Sequence, residues 1–256
     1  MFSDASGNEL EDSQMNVHVL SDLHLEFSEF VPPTTNADLV ILAGDIDTKC
    51  RGVEWANQAF DREVIYVCGN HEFYGGHIDH TLHKMRGAAA PHIHVLENQV
   101  WIHDEIRFLV TTGWTDFSST GDVIAATLVC GQLMNDFKMI ATEDNFRRLC
   151  PADVIERNRV AFEFLKRELS EPFDGKTVVV THHCPVPEAG RKNHDGHLSA
   201  AFFNRWHALL PLVDVWIFGH THRAVNISLG GCRIISNPRG YPGGNADFAP
   251  NLTVEI

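Results

Sequence analysis

The 256-residue chain has no Cys-x-x-Cys pair, no apolar run of membrane-spanning length and few basic residues. Each shortage excludes something. The six cysteines, Cys50, Cys68, Cys130, Cys150, Cys184 and Cys232, are scattered along the sequence. Their spacing does not suit a thiolate zinc site, and reduced thiols are expected without a secretion signal. The opening MFSDASGNELEDSQ is polar and acidic and lacks a signal-peptide core. Residues 1–14 are therefore expected to form a flexible polar tail, with a single domain over 15–256 and a cytoplasmic location. No apolar stretch approaches the roughly 20 residues that a membrane span needs. Only 20 Lys and Arg stand against 34 Asp and Glu, a net charge of −14. That disfavours a broad electrostatic grip on polymeric nucleic acid. An anionic substrate stays open, because bound cations can reverse the local sign.

What the chain has is histidine, 16 of them. In VWIFGHTHRA an apolar run leads straight into His220 and His222. Four other runs end in the same way. NVHVLS (16–21) leads to Asp22 and His24, and ADLVILAG (37–44) to Asp45. REVIYVCG (62–69) leads to Asn70, His71 and Glu72, and KTVVVT (176–181) to His182 and His183. Near-continuous Val, Ile and Leu suits strands covered on both faces. Helical patterns fall between them, at 51–60 and, with Pro151 near its start, at 151–170. Strand-like runs around Asp104-Glu105 and Gly230-Gly231 read as hairpins. The expected fold is α/β: a layered α/β/β/α sandwich of two mixed sheets flanked by helices. Ligands of open α/β sheets sit beyond the carboxyl ends of the strands. A site is expected at that edge.

Each polar cluster alone is an ordinary turn. Together they put carboxylate, amide and imidazole donors at the end of every core strand. Those donors without thiolate suit Mn, Fe, Zn, Co or Ni. Seven donors exceed one tetrahedral ion and suit two ions about 3.5–4 Å apart with a bridging carboxylate. Two such cations stabilise negative charge and bring the pKa of a bound water towards neutrality.

The set Asp22-x-His24, Gly44-Asp45, Gly69-Asn70-His71-Glu72, Thr181-His182-His183 and Gly219-His220-x-His222 resembles the calcineurin-like metallophosphoesterase superfamily, in particular its small stand-alone bacterial-type members. The resemblance implies that Asp22, His24 and His222 hold one divalent ion and Asn70, His182 and His220 the other. Asp45 would bridge them together with a water or hydroxide. Manganese is the first expectation, with Fe, Zn, Co and Ni open. His71 matches the catalytic histidine, which contacts the phosphate or protonates the leaving group. Where protein-phosphatase relatives carry an aspartate that orients this histidine, the chain has Thr48, with Asp47 one residue earlier. The partner of His71 is thus open, and a protein-phosphatase role is disfavoured. His183 is expected behind the ligands. The implied activity is hydrolysis of phosphomonoesters or phosphodiesters of a small molecule or nucleotide by a metal-bound hydroxide. The alternatives are a nuclease or protein phosphatase of the same superfamily, or a non-catalytic scaffold. A homodimer is compatible with all of these.

Asn70, His71, Arg239 and His194 are the candidate substrate contacts. Arg239 has a second reading, as the partner of a core carboxylate. His77, His80 and His83 recur at helical spacing and are expected on a solvated helix face. His92, His94 and His103 read as surface or packing residues, and His197, in the same long loop as His194, as a residue open to substrate contact. Trp114 and Phe117 read as core or pocket lining.

Overall fold

Alternate residues of the central strands serve two different cores. In β1 (Asn16–Leu20) Val17 and Val19 point one way and Leu20 the other. In β2 (Leu39–Ala43) Leu39, Ile41 and Ala43 share one core while Val40 and Leu42 share another. β3 (Val64–Val67) divides in the same way. Period-two alternation with apolar residues at every position is what a strand covered on both faces requires. A computed structural model describes residues 14–190 and 196–256. The expected tail lies outside the described residues apart from Gln14.

The remaining strands are β4 (Ile93–Leu96), β5 (Gln99–His103), β6 (Ile106–Thr111), β7 (Ala141–Thr142), β8 (Arg147–Arg148), β9 (Lys176–Thr181), β10 (Val215–Phe218), β11 (Val225–Leu229), β12 (Cys232–Ser236) and β13 (Thr253–Glu255). One sheet runs β13-β1-β2-β3-β4, parallel except for β13. The second runs β11-β12-β10-β9-β6-β5, parallel in its centre with an antiparallel strand at each edge. The edge hairpins turn at Asp104 and at Gly230-Gly231, the three residues with positive φ there. The sheets pack face to face through Val17, Ile41, Val67, Phe108, Val180 and Ile217.

Helices close both outer faces. α1 (Arg51–Ala59), α2 (Ile78–Ala88) and α3 (Val123–Leu133) bring Val53, Met85 and Cys130 to the outside of the first sheet. A single turn, α4 (Asp136–Met139), follows α3. α5 (Pro151–Ser170) lays Ala161, Phe164, Leu165 and Leu169 against Leu109, Val179 and Trp216 of the second sheet. The result is the expected α/β/β/α sandwich. The five donor-bearing strands do not share one sheet: β1, β2 and β3 belong to the first, β9 and β10 to the second. Their carboxyl ends meet at a common edge. Among the described residues, no helix is long and apolar enough to cross a membrane.

His77 departs from the solvated face expected of it. It is buried and caps α2, its Nδ1 accepting from the backbone N–H of Asp79 and His80. A helix N-terminus leaves such N–H groups without partners, and an imidazole nitrogen satisfies two of them here. His80 is exposed and stacks on it at 4.0 Å.

Candidate metal centre

Leaving their strands, the loops turn sharply. Asp22, His24, Asp45, His220 and His222 all have left-handed backbones, with φ between 47° and 66°. For non-glycine residues that conformation costs about 1–3 kcal/mol each and persists only where surroundings impose it. The imposed geometry points the side chains inward. Glycines let the loops touch: a Cβ on Gly69 would lie 2.2 Å from Asp45 Oδ1, and one on Gly219 2.6 Å from Asp22 Oδ2.

The seven expected donors come together. His24 Nε2 lies 3.0 Å from His222 Nε2, which is 3.4 Å from Asp22 Oδ1. On the other side His182 Nε2 lies 3.2 Å from both Asn70 Oδ1 and His220 Nδ1. Asp45 Oδ2 sits between, 3.9 Å from His24 Nε2 and 3.5 Å from His182 Nε2.

The partners behind these groups fix which atoms face inward. His182 donates from Nδ1 to the Ala43 carbonyl at 2.9 Å, and His220 from Nε2 to the Ala201 carbonyl at 3.3 Å. A carbonyl can only accept, so the opposite ring nitrogens offer lone pairs to the centre. Asn70 donates its amide to Tyr74 Oη and Asp136 Oδ1, each at 3.0 Å, which turns its oxygen inward. Acceptor atoms thus face one another across 3–4 Å with few protons among them. Such a set fits a cation and little else. Where only protons are available, burial opposes protonation of His182, and Asp45 with Asp22 overrides it, raising the group to about 10. Burial and the neighbouring His182 hold His183 down to about 3.

Glu72 ties the second and third loops together. Its buried carboxylate accepts from the backbone N–H of Asp45, Ile46 and Gly69 and from Tyr66 Oη, at 2.7 to 3.0 Å. His71 is held by its own N–H, which donates to Asp45 Oδ1 at 2.8 Å. Its Nε2 faces the site, 4.0 Å from Asp45 Oδ2 and 3.3 Å from Tyr241 Oη. Burial works against protonating it, but Asp45 and then Glu26 raise it to about 9.

Two carboxylates stand at the site that the strand-end pattern does not single out. Asp136, at the start of α4, accepts from Asn70 and from Tyr74. Glu26 Oε1 accepts from His71 Nδ1 at 2.7 Å and from His24 Nδ1 at 3.2 Å. Burial alone would raise Glu26; the two histidines hold it down to about 2. Its only sequence signal is its place two residues beyond His24.

Other expectations fall differently. Arg239 does not face the site. Its guanidinium donates to the carbonyls of Leu23, Ser28 and Glu29 and to Ser28 Oγ, and covers the Phe30 ring. Four of its five N–H groups are spent on the loop behind His24, and among the described residues it pairs with no carboxylate. His194 lies outside the described residues. His183 is buried behind His182 and His220 and donates to the Thr112 carbonyl. His197 meets Thr120. Trp114 and Phe117 are core residues.

A two-sheet sandwich with carboxylate, amide and imidazole donors at its strand ends defines a metal-dependent phosphoric ester hydrolase. The chain belongs to the calcineurin-like phosphoesterase family, whose sequence signature it matches over residues 15–224. An uncharacterised protein, L509, of Acanthamoeba polyphaga mimivirus is 23% identical, over 93% of this chain and 95% of its own. Among solved structures, phosphopantetheinyl hydrolase (PptH) from Mycobacterium tuberculosis superposes with a TM-score of 0.71 at 15% identity, covering 96% of each chain. A putative 5′-nucleotidase from Staphylococcus aureus superposes at 0.52 and 16% identity, covering 90% of this chain but 49% of the other.

Proposed function

We propose that the protein is a dinuclear-metal-dependent phosphoesterase acting on the phosphomonoesters or phosphodiesters of a small molecule or nucleotide. One observation carries this reading: acceptor atoms from five strand ends converge around Asp45, with His71 Nε2 at 4.0 Å from that carboxylate. Asp22, His24 and His222 would hold one divalent ion, Asn70, His182 and His220 the other, and Asp45 both, with manganese the first pair to try. When bound, the ions would neutralise phosphoryl charge and make water acidic enough to attack. The chain's own groups do the rest. Asp22 is fixed by accepting from the His220 N–H at 2.9 Å, which ties the first loop to the fifth. Glu72 holds the Asp45 loop against the His71 loop. His71 Nε2 contacts the ester and protonates the departing oxygen. The net charge of −14 supports a compact substrate over a nucleic-acid polymer. The names of the two structural neighbours, a phosphopantetheinyl hydrolase and a putative 5′-nucleotidase, agree with a compact substrate.

The test is a panel of aryl mono- and diesters, cyclic nucleotides, dinucleoside polyphosphates and phosphopeptides, offered to the manganese-loaded protein with Asp45→Asn as the blank. Metal-dependent turnover of small esters that the blank lacks is the expected result. A flat panel, with two ions bound, would return the protein to the scaffold reading.

A further inference from the structure

His71 needs a group to hold its ring and to fix which nitrogen carries the proton, and the two residues nearest in sequence to that task are both engaged elsewhere. Asp47 Oδ1 accepts from Arg51 Nε at 2.9 Å and from the Thr48 N–H at 2.6 Å. Thr48 Oγ1 accepts from the same guanidinium. Both belong to the entry of α1 and neither touches His71. Glu26 does, at 2.7 Å, from a different loop.

We propose that Glu26 is the positioning residue of His71, and that one carboxylate oxygen serves both the catalytic imidazole and the His24 ligand imidazole. This rests on the phosphoesterase reading above. The geometry carries it in three ways. A carboxylate accepts only, so at 2.7 Å the His71 Nδ1 must be N–H and Nε2 becomes the nitrogen that meets substrate. The same oxygen accepts from His24 Nδ1, which leaves His24 Nε2 as the inward lone pair. The His71 ring is packed from its other side by Tyr74 at 4.3 Å, so the hydrogen bond sets its remaining freedom. In the reaction His71 gives the Nε2 proton to the leaving oxygen as the P–O bond breaks, and the bonding pair stays on that oxygen. The ring ends neutral, still donating Nδ1–H to Glu26. An imidazole held by a carboxylate in the right tautomer loses much of its catalytic use when that carboxylate is removed.

Glu26→Ala and Glu26→Gln in the full-length, zinc-loaded protein test this. Three quantities are measured: metal per chain, kcat and KM across aryl phosphodiesters of graded leaving-group basicity, and the ¹⁵N spectrum of His71, assigned by its disappearance in His71→Ala. At saturating zinc, Glu26→Ala should lower kcat about 10–100-fold for the most basic leaving group and little for the least basic, with KM unchanged, and it should weaken zinc binding through His24. Glu26→Gln should recover part of the loss, since its amide oxygen can still accept. In a His71→Ala background Glu26→Ala should cost nothing further. The His71 Nδ1–H signal should vanish in Glu26→Ala. A loss uniform across leaving groups at saturating zinc, a loss wholly cured by added metal, or additive losses in the double variant at saturating zinc would overturn the proposal. If the wild type hydrolyses no ester, the phosphoesterase reading fails separately, and the spectrum alone decides: an unchanged Nδ1–H signal in Glu26→Ala sinks the role of Glu26.

Discussion

Asn70, His182 and His220 stand with their backs to the core, whereas of Asp22, His24 and His222 the last reaches the rim while the first two are buried. Behind the first three lie the Ala43 and Ala201 carbonyls, Asp136, His183 and the Phe202 ring stacked on His220 at 4.8 Å. The second three include His222, whose side chain is 18% exposed, beside Tyr241 at 4.9 Å, itself 46% exposed. One half of the cluster is therefore sealed by the fold, and the other reaches solvent through His222 and Tyr241. Among the described residues, Asp45 lies within 4 Å of a histidine of each half.

Breaking the shared group should have the largest effect. Asp45→Asn is expected to lower kcat by at least about 10³-fold, some 4 kcal/mol of transition-state stabilisation, and to reduce the metal bound. Full metal content and activity in that variant would show that Asp45 does not join the halves. His71→Ala separates chemistry from metal holding: kcat should fall about 10²–10⁴-fold while two ions stay bound. A matching loss of metal would make His71 a ligand. Next comes the difference between the halves. A weak chelator should strip the metal in two phases, and His222→Ala should speed only the first. Asp136→Ala, which removes one acceptor of the Asn70 amide, should weaken the slower phase alone, by about 10–100-fold in affinity. A single phase in all three proteins would erase the distinction. The smallest effect concerns Glu97, which braces the sealed half by accepting from Thr111 Oγ1 and from the Thr112 N–H and Oγ1. Thr112 in turn takes the N–H groups of His182 and His183. Burial pushes Glu97 above the ordinary 4.5, against those hydrogen bonds. A carboxyl raised on folding contributes stability that is complete below its unfolded value and is lost as the pH climbs through the folded one. Thermal melts should thus weaken as the pH rises above 4.5, and Glu97→Gln should flatten that dependence.

The clustering of these side chains could be anticipated from sequence because each follows an apolar run, and strands buried on both faces end together at one edge of their sheets. The layers were legible for the same reason. What holds the donors was not. Glu26 is a lone acid in a loop, and its partner His71 is 45 residues away. Asp136 opens a short helical turn 66 residues from Asn70. Nothing in local composition distinguishes either from a solvated carboxylate. Arg239 illustrates the same limit in reverse. A guanidinium suited to phosphate is equally suited to carbonyl oxygens, and only the path of residues 23–29 decides between them. His77 reads as solvated by its spacing because the N–H groups it caps carry no sequence mark.

The five donors with left-handed backbones have a consequence for evolution in the laboratory. Glycine or asparagine would relieve each of those positions at little conformational cost. A library selected for heat tolerance in the presence of chelator should therefore erode this edge first, trading ligands for relaxed turns while both sheets stay intact. Survivors of such a selection would be sturdier proteins that no longer catalyse anything.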